Sequence, residues 1–222
     1  MIDWGTVANV ATATGTLVLA VATFASVRSA NRTASNSERA LQVGLRPVLF
    51  ASREEDPSQH IRWGDDHWAT LPAGQAVLEW ANENVYMAMS LRNVGSGLAV
   101  LHSWRVEPAD TPITTTSQFE QRQAALVRPN TDEFRLQGRD LYVPPGDMSF
   151  WQAAIRDPEY PRRKEILHAV KTHQGLQIDL LYNDHEGGQR TISRFMVSWM
   201  PEEEHWNCSV VRHWNLDRHD PR

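Results

Sequence analysis

The chain has 222 residues and a formal net charge of −5, with 41% hydrophobic and 22% charged residues. That composition belongs to a folded chain of one ordinary domain plus an appendage, and its acidity excludes a general nucleic-acid binder. A single cysteine, Cys208, excludes an internal disulfide framework and fits a reducing compartment.

The first element is "WGTVANVATATGTLVLAVATFASV", which holds no charged residue from Trp4 to Val27. As a helix it would extend about 36 Å, enough to cross a hydrocarbon layer of about 30 Å with some tilt. Residues 1–27 are therefore predicted to be a transmembrane anchor, with the lipid bilayer as the first partner. A secretory signal needs a basic start, and "MID" offers only Asp3. After the span come Arg28, Arg32, Arg39 and Arg46 against one acid, Glu38. Positive flanks stay in the cytoplasm. The prediction is a single-pass protein of the plasma (inner) membrane, N-terminus outside and C-terminal domain cytoplasmic. Trp4 marks one interface, and Arg28 and Arg32 the other. Ala8, Ala11, Gly15, Val18, Ala22 and Ala25 recur in steps of three and four. Such a stripe predicts weak homo-oligomerisation through close backbone approach.

Residues 28–45 read as a polar juxtamembrane connector, partly helical. Ser35 and Glu38 have capping-box spacing for a short helix ending near Val43, before Gly44 and Pro47.

From residue 46 to 222 the period shifts towards two, which predicts a β domain. "VYMAMSL" reads as a half-buried strand, with Val85, Met87, Met89 and Leu91 on one face. "GLAVLHSWRVEP" places Leu98, Val100, Trp104 and Val106 in phase, and His102 with them as a core histidine. "NVGSG" between the two predicts a hairpin. Further strands are expected at 47–52, 76–80, 139–143, 148–155, 176–183, 190–199 and 206–214, with "NDHEGGQ" as a second hairpin loop. A helix is expected from an Asp157 cap and Pro158 to a Gly175 stop, with Ile166, Leu167 and Val170 inward. Residues 109–131 carry no clean pattern and read as a long loop. The fold class is mainly β: a transmembrane helix followed by an antiparallel, immunoglobulin-like β-sandwich with one short helix.

"LRNVGSGLAVLHSW", followed later by "RDLYVPPGDMSFW", resembles the immunoglobulin-like domain of uncharacterised single-span bacterial membrane proteins. Those carry an asparagine–glycine–small–alanine turn and a later proline–glycine loop. The resemblance implies the fold and the anchor, but no activity, cofactor or site residue. The paired cysteines of antibody domains are absent.

Catalytic signatures are missing. His205 and Cys208, three apart on a strand, point to opposite faces, with Cys208 inward beside Trp206 and Val210. Asp184, His185 and Glu186 read as a solvated turn rather than a metal site. "WGDDHW" and "EWANENVY" put carboxylates beside tryptophan, as sugar sites do. Arg162, Arg163, Lys164 and Lys171 form a candidate anion patch on the late helix. No phosphate loop, nucleophile elbow or zinc helix is present. The expectation is a non-enzymatic, cofactor-free interaction or scaffold module with a protein partner. The alternative is an extracellular envelope- or glycan-binding domain on the same anchor.

Overall fold

A computed structural model describes residues 4–109 and 127–220; within the N-terminal helix the side chains of Trp4, Ala8, Ala11, Arg39 and several neighbours fall outside the described set. Most of the predicted loop at 109–131 also falls outside it. The described chain divides into two units, residues 1–44 and Leu45–Arg222.

The first unit is helix α1, Trp4–Gly44, 41 residues without a break. At 1.5 Å per residue it is about 60 Å long. The connector is thus not partly but wholly helical, and Ser35 does not cap a new helix. Helix formation is cooperative, and extending an existing helix avoids the cost of a second nucleus. The threonines that dilute the apolar run satisfy themselves within it. Thr16 Oγ donates to the Thr12 carbonyl at 2.9 Å, and Thr23 Oγ to that of Leu19 at 2.8 Å.

The second unit is an antiparallel sandwich. Its strands are β1 (Leu49–Ala51), β2 (Gln59–Arg62), β3 (Trp68–Leu71), β4 (Gln75–Ala81), β5 (Asn84–Asn93), β6 (Ala99–Pro108), β7 (Arg135–Val143), β8 (Met148–Ile155), β9 (Leu176–Asn183), β10 (Thr191–Met200) and β11 (His205–Asn215). One curled sheet runs β1-β5-β4-β11-β10-β9-β6-β7, with β8 also paired to β5. The join between β4 and β11 is only the pairs Trp206↔Ala76 and Asn207↔Gln75. At that narrow corner the sheet folds into two layers, one built on β5 and one on β9 and β10. Met87, Met89 and Leu91 of the first layer share a core with Ile178, Leu180, Phe195 and Val197 of the second. Trp104 meets Trp151 edge-on across the layers, ring centres 5.6 Å apart.

Helix α2, Arg163–Lys171, closes the core with Ile166, Ala169 and Val170. It starts six residues after the expected Asp157 cap. Pro161 bars the residue before it from helical geometry, and Arg162 turns left-handed at φ 62°. Asp157 instead holds a tight turn, its carboxylate accepting from Glu159 N at 2.9 Å.

Three further expectations are corrected. The β2–β3 hairpin, unpredicted, packs Ile61, Trp63 and Leu71 over Val77, Tyr86 and Ala88. Strand β5 is therefore buried on both faces, not one. In β6 the pairing slips between Leu101 and Ser103. Ala99 and Leu101 face inward before the bulge, Trp104 and Val106 after it, and His102 is half-buried rather than core. Finally, β5 and β6 do not pair: β5 bonds β1, β4 and β8, while β6 bonds β7 and β9. "NVGSG" is a crossing between layers, not a hairpin turn.

Candidate functional site

Two features stand apart from ordinary packing: the exposed apolar surface of α1, and the clamp on the chain that leaves it.

Along α1, Leu17, Val18, Leu19, Val21, Phe24 and Val27 are 53–69% exposed. The stretch Thr12–Glu38 is long and apolar enough to cross a membrane, and none of its apolar window is buried. Arg28 and Arg32 lie in the C-terminal half of that stretch, exposed, one turn apart on the same face. Of the small-residue stripe, Gly15, Val18, Ala22 and Ala25 are exposed, and nothing lies within 4 Å of where a Gly15 side chain would point. Arg46 behaves differently from Arg28 and Arg32. It is buried in the sandwich, donating to Thr191 Oγ1 at 3.0 Å and Asn215 Oδ1 at 2.7 Å, and pairing with Asp217 at 2.6 Å.

The clamp is made by the two motifs that carry the family resemblance. Asn93 lies fully buried at the end of β5. Its side-chain oxygen accepts from Val48 N (3.2 Å) and Gly95 N (3.0 Å). Its side-chain nitrogen donates to the carbonyls of Gly97 (2.7 Å) and Val143 (2.9 Å). The proline–glycine loop closes on its backbone: Gly146 N donates to the Asn93 carbonyl, and Asn93 N to that of Asp147. Gly95 and Gly97 press directly on the exit segment. A Cβ at Gly97 would stand 1.7 Å from the Leu45 carbonyl oxygen, and one at Gly95 2.3 Å from that of Arg46. Tyr182 completes the set, its hydroxyl accepting from Leu49 N at 3.1 Å. One buried side chain thus satisfies the Val48 and Gly95 N–H groups and the Gly97 and Val143 carbonyls, and the lack of a Cβ at Gly95 and Gly97 leaves room for the exit segment.

The sequence's other candidates fall as follows. Arg162 is neutralised by Glu107 and, at 3.0 Å, by Glu165. Arg163 donates to the Glu83 carbonyl, Lys171 lies 3.6 Å over the Trp80 ring, and Lys164 is exposed. Two of the four cations in the patch are thus already engaged by carboxylates or an aromatic face, and a third by a carbonyl. Cys208 is buried, its Sγ 3.8 Å from Met89 Sδ, and burial pushes its thiol up to about 12. It is a packing thiol, not a nucleophile. His205 lies towards Glu203, on the other face. In the β9–β10 loop Asp184 turns inward to accept from Gln189, while His185 and Glu186 stay exposed. Among the described residues no group of three or more His, Cys, Asp or Glu could hold a metal ion.

"WGDDHW" and "EWANENVY" do come together, as the two sides of the β2–β3 cover. Tyr86 donates to Asp65 at 2.6 Å, and His67 stacks on Tyr86 at 3.9 Å and meets Glu79 at 2.7 Å. The hydrogen bond from Arg156, with a further one from Tyr86, holds the Asp65 carboxyl well below the usual carboxylate range. Asp65 is thus engaged by Arg156 and Tyr86, and Glu79 by His67.

Two arrangements were not foreseen. Ser193 Oγ lies 2.6 Å from His213 Nδ1 and 2.8 Å from the Tyr182 hydroxyl. Ser193 is fully buried, and burial pushes His213 down to about 4, so the imidazole is neutral at neutral pH. Among the described residues no acid bonds the ring, and the hydroxyl is closed off, so the pair lacks the orienting group and open face of a hydrolytic triad. On the outer face of the second layer, Arg194 grips Asp179 at 2.7 and 3.0 Å, and Arg105 adds a bond at 3.0 Å. Glu107 and Glu133 balance Arg105 at 2.6 Å each. Arg194 and Asp179 are buried at the centre of this network, and Arg105, Glu107 and Glu133 lie progressively nearer solvent.

No family model matches the chain, and no curated protein matches it. Among solved structures, a β-glucosidase from Kluyveromyces marxianus is 9% identical with a TM-score of 0.22, over 63% of this chain and 14% of that one. A β-glucosidase from Erythrobacter marinus is 15% identical with a TM-score of 0.22, over 61% of this chain and 18% of that one. The chain thus spans less than a fifth of either enzyme, and likeness at this level carries no argument about function.

Proposed function

We propose that the chain is a membrane-anchored, non-catalytic interaction module: α1 crosses the plasma (inner) membrane once, and the immunoglobulin-like sandwich works on the cytoplasmic side with a protein partner. One observation carries the reading. The sandwich gathers its buried apolar side chains in three clusters and leaves only scattered ones such as Trp68 and Leu136 more than half exposed, whereas α1 exposes a continuous run of Leu, Val and Phe. At about 25 cal/mol per Å² of apolar surface, water is a poor solvent for that run and lipid a good one. The orientation rests on Arg28, Arg32 and Arg39 against Glu38. Self-association through Gly15, Val18, Ala22 and Ala25 would be weak, because lipid removes the hydrophobic driving force between helices. The external glycan-binding reading draws support from the meeting of the two tryptophan-flanked acidic stretches, but their carboxylates are engaged by Arg156, Tyr86 and His67.

The full chain is expected to remain with membranes through high salt and alkaline carbonate, while a chain starting at Arg28 is expected in the soluble fraction. Recovery of the full chain in the carbonate supernatant would overturn the anchor.

A further inference from the structure

Leu45–Leu49 is the sole covalent route from α1 into the sandwich, and it is tied down from two sides. The Asn93 clamp holds its backbone. The segment after β11 holds its one charged side chain, and that second grip is differently built. Arg46 is 8% exposed, and its partner Asp217 is 34% exposed. Its inner partners, Thr191 and Asn215, are buried. Asn215 acts in both directions, its oxygen accepting from Arg46 and its side-chain nitrogen donating to the His219 carbonyl at 2.8 Å. Asn215 N then donates to Asp220 at 2.8 Å, and Leu216 N to the Arg190 carbonyl at 2.9 Å. The chain from Asn215 to Asp220 therefore curls back over Arg46. Arg218 feels the charge of both Arg46 and Asp217, so the one carboxylate lies between two cations.

We propose that Asn215–Asp220 is a latch: it holds the exit segment of α1 on the sandwich through Arg46, and withdrawing Asp217 releases that segment. The reason is the asymmetry of the grip. Thr191 and Asn215 are neutral, so among the described residues Asp217 is the carboxylate that pairs with the guanidinium. Without it Arg46 is a buried cation held by neutral groups, and its cheapest relief is to swing into water. Arg46 cannot leave without drawing Pro47 and Val48 with it. Pro47 is buried, and Val48 N is bonded to Asn93. The bolt is at the surface and the parts it secures are inside, which is the order a releasable contact needs. The device controls how firmly the first residues after α1 are joined to the domain. It goes beyond the anchor reading and depends only on the packing around Arg46, so either can fail without the other.

Amide hydrogen exchange on the full chain in detergent, unaltered and as Asp217→Asn, tests it. The probes are Val48 and Leu49, whose amides bond Asn93 and Tyr182, with Ile178 and Phe195 in the core ladder as controls. Exchange at Val48 and Leu49 is expected to rise by at least about tenfold, with the core amides unchanged. Parent-like exchange at Val48 and Leu49 in the variant would overturn the latch. If Asp217→Asn loosens the core in step, Asp217→Glu decides. Restored protection at Val48 and Leu49 supports the latch, and unrestored protection overturns it.

Discussion

Replacing Leu17 and Val18 by arginine is expected to release the chain from membranes while leaving the sandwich folded. Both positions lie near the middle of the uncharged run and are 66% and 62% exposed, so no packing within the chain is lost. An arginine at the centre of a membrane helix costs roughly 2.5–3.5 kcal/mol on the insertion scale. Two together cost about 5–7 kcal/mol, a shift of about four orders of magnitude in partitioning. Neighbouring positions on a helix differ by about 100°, so one bilayer defect cannot serve both side chains equally. The measurement is the fraction of chain pelleting with membranes after carbonate, with circular dichroism of the released protein as a check on the fold. A doubly substituted chain that still pellets as the parent does would mean that something other than α1 holds it there.

The second large effect is at the clamp. Gly97→Ala puts a methyl 1.7 Å from the Leu45 carbonyl oxygen and 2.7 Å from its carbon. Both are backbone atoms of a segment fixed by Asn93 and Tyr182, so the obstacle cannot rotate away as a side chain would. Overpacking of this kind costs about 1–3 kcal/mol and occasionally more, and a rigid backbone obstacle lies at the upper end. For a domain of this size that lowers Tm by roughly 6–12 °C. Gly138→Ala is the matched control, because nothing lies within 4 Å of its Cβ position and its φ lies outside the left-handed region. Thermal unfolding of the two variants in detergent should separate them clearly. Equal melting would mean that the exit segment yields and the clamp is soft.

These glycines also show what could be read from the sequence and what could not. "NVGSG" announces tight backbone geometry, because runs of glycine with asparagine rarely serve anything else. The tight geometry was legible; its role as a crossing and its neighbour were not. Nothing in residues 93–97 says that they press on residues 45–48, a contact the tertiary fold alone creates. The same limit explains β5 and β6. Adjacent strands joined by a turn usually pair, yet the narrow β4–β11 corner sends these two to different layers. β8 and β9 were located to the residue, since both are apolar-rich runs bounded by turn residues, "VPPGD" before β8, Gly175 before β9 and "DHEGG" after it. The period-two pattern failed at β6, where an extra residue, His102, shifts the phase and moves the inward set from Val100 to Leu101. It also failed at β2 and β3, which are four residues each and carry too few alternations to rise above the surrounding polar loop. Helix α1 was legible from composition to Val27. Its continuation to Gly44 through Ser, Asn and Arg was not, because those residues favour caps as readily as helix interiors. The burial of Cys208 followed from alternation alone, since Trp206, Cys208 and Val210 share one face of β11.

The side on which the sandwich lies separates the cytoplasmic module from an external binding domain, and protease accessibility reads it directly. Protease is added to spheroplasts carrying the full chain with an epitope after Arg222, and again after the membrane is opened by detergent. A cytoplasmic domain is expected to keep its epitope in intact spheroplasts and lose it only on opening. Digestion in intact spheroplasts, with a cytoplasmic marker protein still protected, would place the domain outside and contradict the account.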